Sequence, residues 1–343
     1  MRGLLFYIGR SKRRRVMTDT NKKRIMVVDA LNLFIRCYIV NPSISTNGNP
    51  VGGVVGFLGS LRKLMRETRP DQVIICWDGP GGSQKRRESV KEYKQGRKPL
   101  RKNYEIEGMD EQSEKENKIW QQALLLEILN NMPVVQLMLP NVEADDIIAM
   151  VCRHHIYDGW QKVIISSDKD FLQLMDEDTV LFRPIQKKVH TWKNVIEDFG
   201  ISAQNFVLAR AIAGDKSDNL AGIPRAGLPT VAKRLSFLSE TKDYNLDDIY
   251  DFCNEKLDTK IKFYNHVVDG FETVEKNYQI MNLVPPSISP QGREKINYAI
   301  ENFEFGLNAT ELKRQSINNG FAHFDWSELI ASMRRITNNN KNA

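Results

Sequence analysis

Eight acidic residues in this chain either follow short apolar runs or stand in a glycine-flanked turn, a pattern suited to holding hard divalent cations. Asp29 closes the run Ile25-Met26-Val27-Val28, and Asp78 closes Ile74-Ile75-Cys76-Trp77 just before Gly79. Glu143 and Asp145, in Glu143-Ala144-Asp145-Asp146, follow a third run and open a helical pattern. Asp168 and Asp170 follow a fourth, after Ser166-Ser167. Asp215 and Asp218 stand at i, i+3 in Gly214-Asp215-Lys216-Ser217-Asp218-Asn219, able to share one face. Singly, each has an ordinary explanation, because Asp and Asn favour turns and a helix N-terminus favours negative charge. Their recurrence at successive strand ends is different. In an open α/β sheet, ligands bind at the carboxyl ends of the strands. Two bare carboxylates about 5 Å apart repel by roughly 3 kcal/mol at an effective dielectric of about 20. Eight converging on one site need protons or cations. Oxygen donors without His or Cys select Mg²⁺ or Mn²⁺ over Zn²⁺. Two such ions roughly 4 Å apart suit in-line attack of water on a phosphodiester. The indicated chemistry is phosphoryl transfer.

Cationic residues stand close by. Between residues 79 and 110 lies a segment without a clear strand pattern, and loops of that length are usually functional lids or disordered. Residues 85–102 hold nine Lys or Arg against Glu88 and Glu92. A solvated helix carries such charge too. Beside a metal cluster, however, the segment that begins Lys85-Arg86-Arg87 draws in a phosphate backbone, and Tyr93 is placed to stack a base. Lys94 and Arg97 are candidates for stabilising charge that develops on the cleaved phosphate.

Placing acids this way requires a sheet. Apolar runs at 25–28, 73–77, 134–137, 163–165 and 180–182 alternate with helical patterns at 54–66, 114–130 and 144–155. Strands separated by helix-length segments indicate βαβ units and a mostly parallel sheet covered on both faces. From about residue 202 the pattern turns to helices only. Ser202 is read as the cap of a helix through Phe206, Val207, Leu208 and Ile212 that stops at Gly214. Gly52, Gly53, Gly56 and Gly59 lack the spacing of a dinucleotide fingerprint and are read as tight helix packing. No internal repeat is evident.

The 343 residues are 41% hydrophobic and 27% charged, ordinary values for a folded domain or two. Net charge +6 and a pI near 9.0 favour an anionic partner. No apolar run approaches the roughly 20 residues that cross a bilayer. The short run 4–8 precedes rather than follows the basic run 12–15, the wrong order for a secretory signal, so a cytoplasmic location is expected. Cys37, Cys76, Cys152 and Cys253 are scattered singly and suggest neither a zinc knuckle nor a disulfide framework. The expected organisation is a basic leader over 1–24, with Met17 an alternative start. An α/β domain over 25–200 follows, then a helical region over 201–337 and a frayed Asn-rich tail over 338–343.

The ordered set of motifs resembles the structure-specific 5′-nuclease family: flap endonucleases, the 5′-3′ exonuclease domains of bacterial DNA polymerases, and phage enzymes. The matching elements are Asp29-Ala30-Leu31-Asn32, Trp77-Asp78-Gly79, Tyr93-Lys94-Gln95-Gly96-Arg97, Glu143-Ala144-Asp145-Asp146, Ser167-Asp168-Lys169-Asp170 and the 214–219 turn. They occur in family order across roughly 25–240. The similarity is greatest to phage-encoded members, among them the type called ribonuclease H for its removal of RNA primers.

The resemblance implies a Rossmann-like (PIN-like) α/β fold with a helical arch over 79–110 and a helical C-terminal duplex-binding region. It implies a first metal site at Asp29, Asp78, Glu143, Asp145 and Asp168. The second is at Asp170, Asp215 and Asp218, with Asp168 near both ions, and Asp146 stands behind them. Two Mg²⁺ are the expected cofactors, with Mn²⁺ able to substitute. Arg36 matches an arginine near the scissile phosphate, and Lys94 and Arg97 match arch residues that assist cleavage. Residues 222–227 resemble the family's helical hairpin, which grips duplex backbone, often through a monovalent cation. Arg225 stands where the family usually has glycine and Pro229 where it often has lysine. Both departures bear on K⁺ coordination, while Arg225, Lys233 and Arg234 become direct phosphate contacts. The implied activity is 5′-3′ exonucleolytic and flap-endonucleolytic hydrolysis by a monomer on DNA with a 5′ flap, nick or RNA primer. The setting is phage lagging-strand replication, with a single-stranded-DNA-binding protein or sliding clamp as candidate partners. A PIN-class single-strand ribonuclease leaves the arch motif and the 214–219 turn unexplained. A non-catalytic DNA-binding protein predicts lost acids, and all eight are present.

Overall fold

The computed structural model describes residues 22–91, 93–95, 109–184 and 186–341. Most of the expected leader and residues 96–108 of the expected arch, Arg97 included, lie outside the described residues.

Among the described residues the strands are β1 (Arg24–Asp29), β2 (Gln72–Trp77), β3 (Val135–Met138), β4 (Gln161–Ile165), β5 (Thr179–Arg183) and β6 (Lys188–His190). They form one sheet in the order β3-β2-β1-β4-β5-β6. All pairings are parallel except β5 with β6. The helices are α1 (Ala30–Val40), α2 (Gly52–Thr68), α3 (Gln84–Ser89), α4 (Glu111–Leu129), α5 (Ala144–Cys152) and α6 (Trp192–Phe199). Then come α7 (Phe206–Ala213), α8 (Leu228–Arg234), α9 (Leu246–Asn254), α10 (Lys262–Asp269) and α11 (Phe271–Met281). The last are α12 (Pro290–Glu301), α13 (Ala309–Asn318) and α14 (Ser327–Lys341). This is the expected α/β architecture, with β6 added at an edge.

Successive strand side chains point to opposite faces, so each strand feeds two cores. Ile25, Val27, Ile74, Cys76, Ile164 and Leu181 face a core completed by α5, α7 and α12. Met26, Val28, Val73, Ile75, Val163 and Ile165 face the other, closed by α1, α2, α4, α13 and α14. Continuous apolar strands follow directly from burial on both faces. Three of the four glycines of α2 serve packing: a Cβ at Gly53 would meet the Phe34 ring at 2.6 Å and one at Gly56 would meet Cys37 at 2.8 Å, whereas one at Gly59 meets nothing within 4 Å. All four cysteines are buried free thiols.

Three expectations need correction. The helix expected to begin under Ser202 starts instead at Phe206, because Ser202 is buried and its Oγ accepts from Asn205 Nδ2 at 2.9 Å. The helical pattern expected over 144–155 stops at Cys152 and continues as a 3₁₀ turn, His155–Tyr157. The expected frayed tail is helical through Lys341: Asn340 Nδ2 donates to the Asp71 carbonyl at 2.9 Å and Asn339 Nδ2 to Asp71 Oδ1 at 3.2 Å. Residues 201–337 carry the helices α7 to α14, and the last of these packs back on the sheet-bearing part of the chain. Leu329, Met333 and Ile336 of α14 are fully buried against the 25–200 core, and Arg66 pairs with Glu328 at 3.2 Å. Only the neighbouring core, not helical periodicity, decides where such a helix docks.

Candidate metal centre

The strand register brings the acids to one edge. Asp29 sits beside Cys76, two residues before Asp78, and Ile165 pairs with Val28, so Ser166 emerges level with Asp29. The strand order reverses between β1 and β4, the place where open α/β sheets form their crevice. Asp29, Asp78, Glu143-Asp145 and Asp168 thus come from the ends of four adjacent parallel strands.

Each is fixed by local hydrogen bonding. Asp29 caps α1, accepting from Asn32 N at 3.1 Å, while its other oxygen accepts from Ser166 Oγ at 2.8 Å. Asn32 accepts from Ser167 N at 3.2 Å, clamping the loop after β4. Asp78 reaches across to cap α5, accepting from Ala144 N at 2.9 Å. Asp168 accepts from Asp170 N at 2.9 Å. Asp215 and Asp218 ride on a pinched turn in which Asp215 and Leu220 exchange backbone bonds of 2.9 and 2.8 Å. The pinch requires glycine: Gly214 has φ +72°, and a Cβ there would meet Gly222 N at 2.3 Å.

The two halves meet. Arg86, Tyr93, Asp145, Asp170 and Asp218 line one cleft. Charge crowding shows in the acidities. Burial, then Asp145, holds the Asp29 carboxyl well above the usual range. Burial and the neighbouring acids push Asp145 up to about 6 and Asp170 up to about 7. Burial and Asp145 also raise Asp168. Asp215 goes the other way: burial raises it, but bonds from Ser217 and Arg210 outweigh this and hold it low. Buried carboxyls that resist ionising, with hard oxygen donors throughout, fit a site whose charge balance calls for divalent cations.

Cations of the chain supply part of that balance. Lys94 Nζ lies 2.5 Å from Glu143 Oε1, and its backbone N–H donates to the Asp218 carbonyl at 2.8 Å. Lys94 therefore touches both halves, from a left-handed conformation with φ +57°. Arg36 Nη1 donates to Ser167 Oγ at 3.2 Å, beside Asp168. Arg210 is the residue that sequence reading missed. Its guanidinium binds Asp170 Oδ1 at 2.9 and 3.1 Å and also bonds Asp215 Oδ2. The available signal was a lone arginine in the otherwise apolar helix Phe206–Ala213.

Two expected nucleic-acid contacts are placed otherwise. Tyr93, expected to stack a base, is 3% exposed against Val207, Leu220, Ile280 and Met281, and its hydroxyl donates to Glu143 at 3.2 Å. Arg86 is half-buried and pairs with Glu143 and Asp146 rather than standing open to a phosphate, because two acids outcompete solvent there. Asp146 also accepts from Ser287 N at 2.7 Å, so both of its oxygens are taken up by the chain. Lys85 is exposed and donates to Ser287 Oγ at 2.7 Å, and Arg87 is exposed. In the hairpin, Arg225 and Lys233 are exposed and Arg234 is half-buried. Arg225 adopts φ +62°, the left-handed geometry that explains a glycine preference, and Pro229 sits in the first turn of α8.

Residues 24–200 match the family model for the 5′-3′ exonuclease N-terminal resolvase-like domain. The chain is 30% identical over 209 residues to the 5′-3′ exonuclease of Aquifex aeolicus, covering 61% of this chain and 67% of that protein. It is 28% identical over 246 residues to DNA polymerase I of Caldicellulosiruptor bescii, covering 68% of this chain but only 27% of the polymerase. It thus spans about a quarter of that polymerase's length. The T5 D15 protein co-crystallised with metal ions superimposes with a TM-score of 0.60 at 19% identity, covering 87% of this chain and 98% of that one. Human GEN1 in complex with Holliday junction DNA gives 0.54 at 11% identity, covering 92% and 72%. At those identities the likeness is one of fold.

Proposed function

The chain belongs to the 5′-3′ exonuclease family through residues 24–200, and from that premise we propose that it is a divalent-metal-dependent nuclease acting near 5′ ends, both exonucleolytically and on flaps. The observation that carries this reading is the convergence of sheet-edge and loop carboxylates on one cleft beside Lys94. Asp29, Asp78, Glu143, Asp145 and Asp168 would hold one Mg²⁺, and Asp170, Asp215 and Asp218 the second, with Asp168 serving both and Mn²⁺ able to replace either. The pair, when bound, supplies activation of the attacking water and stabilisation of the leaving oxygen. Lys94 offers its ammonium to charge developing on the cleaved phosphate. Arg36 steadies that phosphate from the Ser167 side, and Arg97 joins them on the strength of the sequence motif.

The substrate class is DNA with a 5′ flap, a nick or an RNA primer, and the setting is primer removal on the lagging strand in phage replication. Exposed Lys85 and Arg87, with Arg225, Lys233 and Arg234, grip duplex phosphates. A protruding arginine in the hairpin does there what a bound K⁺ does with a glycine loop. Cleavage mapping on matched flap, nicked and RNA-primed substrates, with Mg²⁺ and with EDTA, tests the reading. Products shortened from the 5′ end only when Mg²⁺ is present are expected. Hydrolysis that persists in EDTA overturns it.

A further inference from the structure

Away from the acidic cleft, His154, His155 and Glu301 bring one donor atom each within 4.8 Å of one another. Glu301 Oε1 lies 3.8 Å from His154 Nε2 and 3.9 Å from His155 Nε2. The imidazoles stack with centroids 4.6 Å apart, so both Nε2 atoms face the same carboxylate. The His154 side chain is 2% exposed, and its Nε2 makes no well-formed hydrogen bond among the described residues, although the Asn297 side chain is close enough to pull on the ring. A buried ring nitrogen without a partner costs free energy unless something fills its place.

We propose that His154, His155 and Glu301 form a binding site for a borderline divalent transition metal of the Zn²⁺ class, distinct from the acidic centre. Two imidazoles and one carboxylate suit Zn²⁺ rather than Mg²⁺, and the exposed side leaves a fourth position to water. The three donors surround a common point at little more than the roughly 2.0–2.2 Å of Zn–N and Zn–O bonds, so small rotamer changes close the site. Ligation needs neutral imidazoles. Burial and the adjacent His155 hold His154 below its ordinary value, against the pull of Glu301, Asn297 and Asp158. Glu301 is also the last residue of α12, where the helix dipole favours a cation. One contact opposes the site. His154 Nδ1 accepts from Ile156 N at 3.3 Å, and metal on Nε2 moves the ring proton to Nδ1. That long bond is exchanged for a metal–nitrogen bond.

The site joins α12 to the turn that follows α5. Since α5 runs from Ala144 to Cys152, nine residues, about 13 Å of helix separates the site from the acidic cleft. Metal there acts as a staple on α12, just ahead of which Ser287 already bonds Asp146 and Lys85.

The test uses the full chain in excess Mg²⁺, which occupies the acidic centre, with Zn²⁺ titrated by calorimetry and Co²⁺ read by visible absorption. The expected result is one Zn²⁺ site that survives excess Mg²⁺, raises the melting temperature and gives the Co²⁺ spectrum of nitrogen ligation. His155→Ala and Glu301→Gln should each weaken Zn²⁺ by about tenfold or more, while Mg²⁺-supported cleavage stays unchanged. His155 is 72% exposed, so its variant is not expected to disturb folding. No Zn²⁺ binding above the Mg²⁺ background overturns the site. So does equal binding by the parent and both variants, or loss in only one of them.

Discussion

Along the sheet edge, Asp29, Asp78 and Asp168 are held by helix ends, a serine and backbone amides that the strand register delivers. Across the cleft, a single guanidinium from α7 ties Asp170 to Asp215, while the other oxygen of Asp215 accepts from Ser217 N at 2.7 Å. The first half is organised by the fold and stays organised whatever its charge. The second half is organised by an ion pair, and a cation entering it must share Asp170 and Asp215 with Arg210. Organisation by backbone is costly to alter. Organisation by one side chain is adjustable.

Mutating Asp168, at the junction of the halves, has the largest expected effect. Asp168→Asn keeps the side-chain volume and should lower cleavage by on the order of 10³-fold, with Asp218→Asn less damaging. Flap-DNA affinity in EDTA should hold or rise, since fewer carboxylates face the backbone. Parent-like cleavage by both variants would show that the acids serve structure.

Next comes Arg210. Removing one partner of a buried ion pair leaves charges uncompensated, so Arg210→Ala should cost about 3 kcal/mol of stability in EDTA. Saturating Mg²⁺ should restore much of that. An equal loss in EDTA and in Mg²⁺ would mean that Arg210 is structural only, and the contrast between the halves would fall.

Lys94 bridges the halves. Lys94→Ala should reduce the single-turnover rate by about 10²-fold while changing DNA affinity far less. Matching losses in rate and affinity would reduce it to a phosphate grip.

The smallest effect is on stability against pH. Asp170 near 7 and Asp145 near 6 lie above the ordinary carboxyl value, mainly through burial. The folded state therefore binds more protons than the unfolded chain between those values and about 4, and its stability must fall as pH rises through them. Melting in EDTA should show a gain of about 1–2 kcal/mol as pH drops from about 7.5 to about 5.5, and Mg²⁺ should abolish it. A metal-free protein that melts identically at both pH values contradicts the crowding.

The sheet-edge half was legible in the sequence because continuous apolar runs end at countable positions, and a carboxylate after each run has one place to go. Asp29 and Asp168 follow from that arithmetic alone. The register that sets Ser166 beside Asp29 is tertiary, and so is the fate of Tyr93, whose ring looked free because nothing local announces Ile280 and Met281. Arg210 was hidden for the same reason. An arginine among apolar residues reads as a solvated position until the acids at 170 and 215 are seen beside it. The Asn-rich segment at 338–341 reads as frayed by composition, yet its amides find Asp71 and Gln72 some 268 residues earlier.

That return of α14 sets the timing of synthesis. The pair joining Arg62 to Asp325 spans 263 residues. At roughly 5–20 residues per second, on the order of 10–50 s passes between the emergence of α2 and of the helix that covers it. Throughout that interval Leu61, Met65 and their neighbours on α2 wait without Leu329 and Met333. The nascent chain thus shows an apolar flank to its surroundings until α14 emerges. Until then, that flank is a ready docking strip for a holdase chaperone.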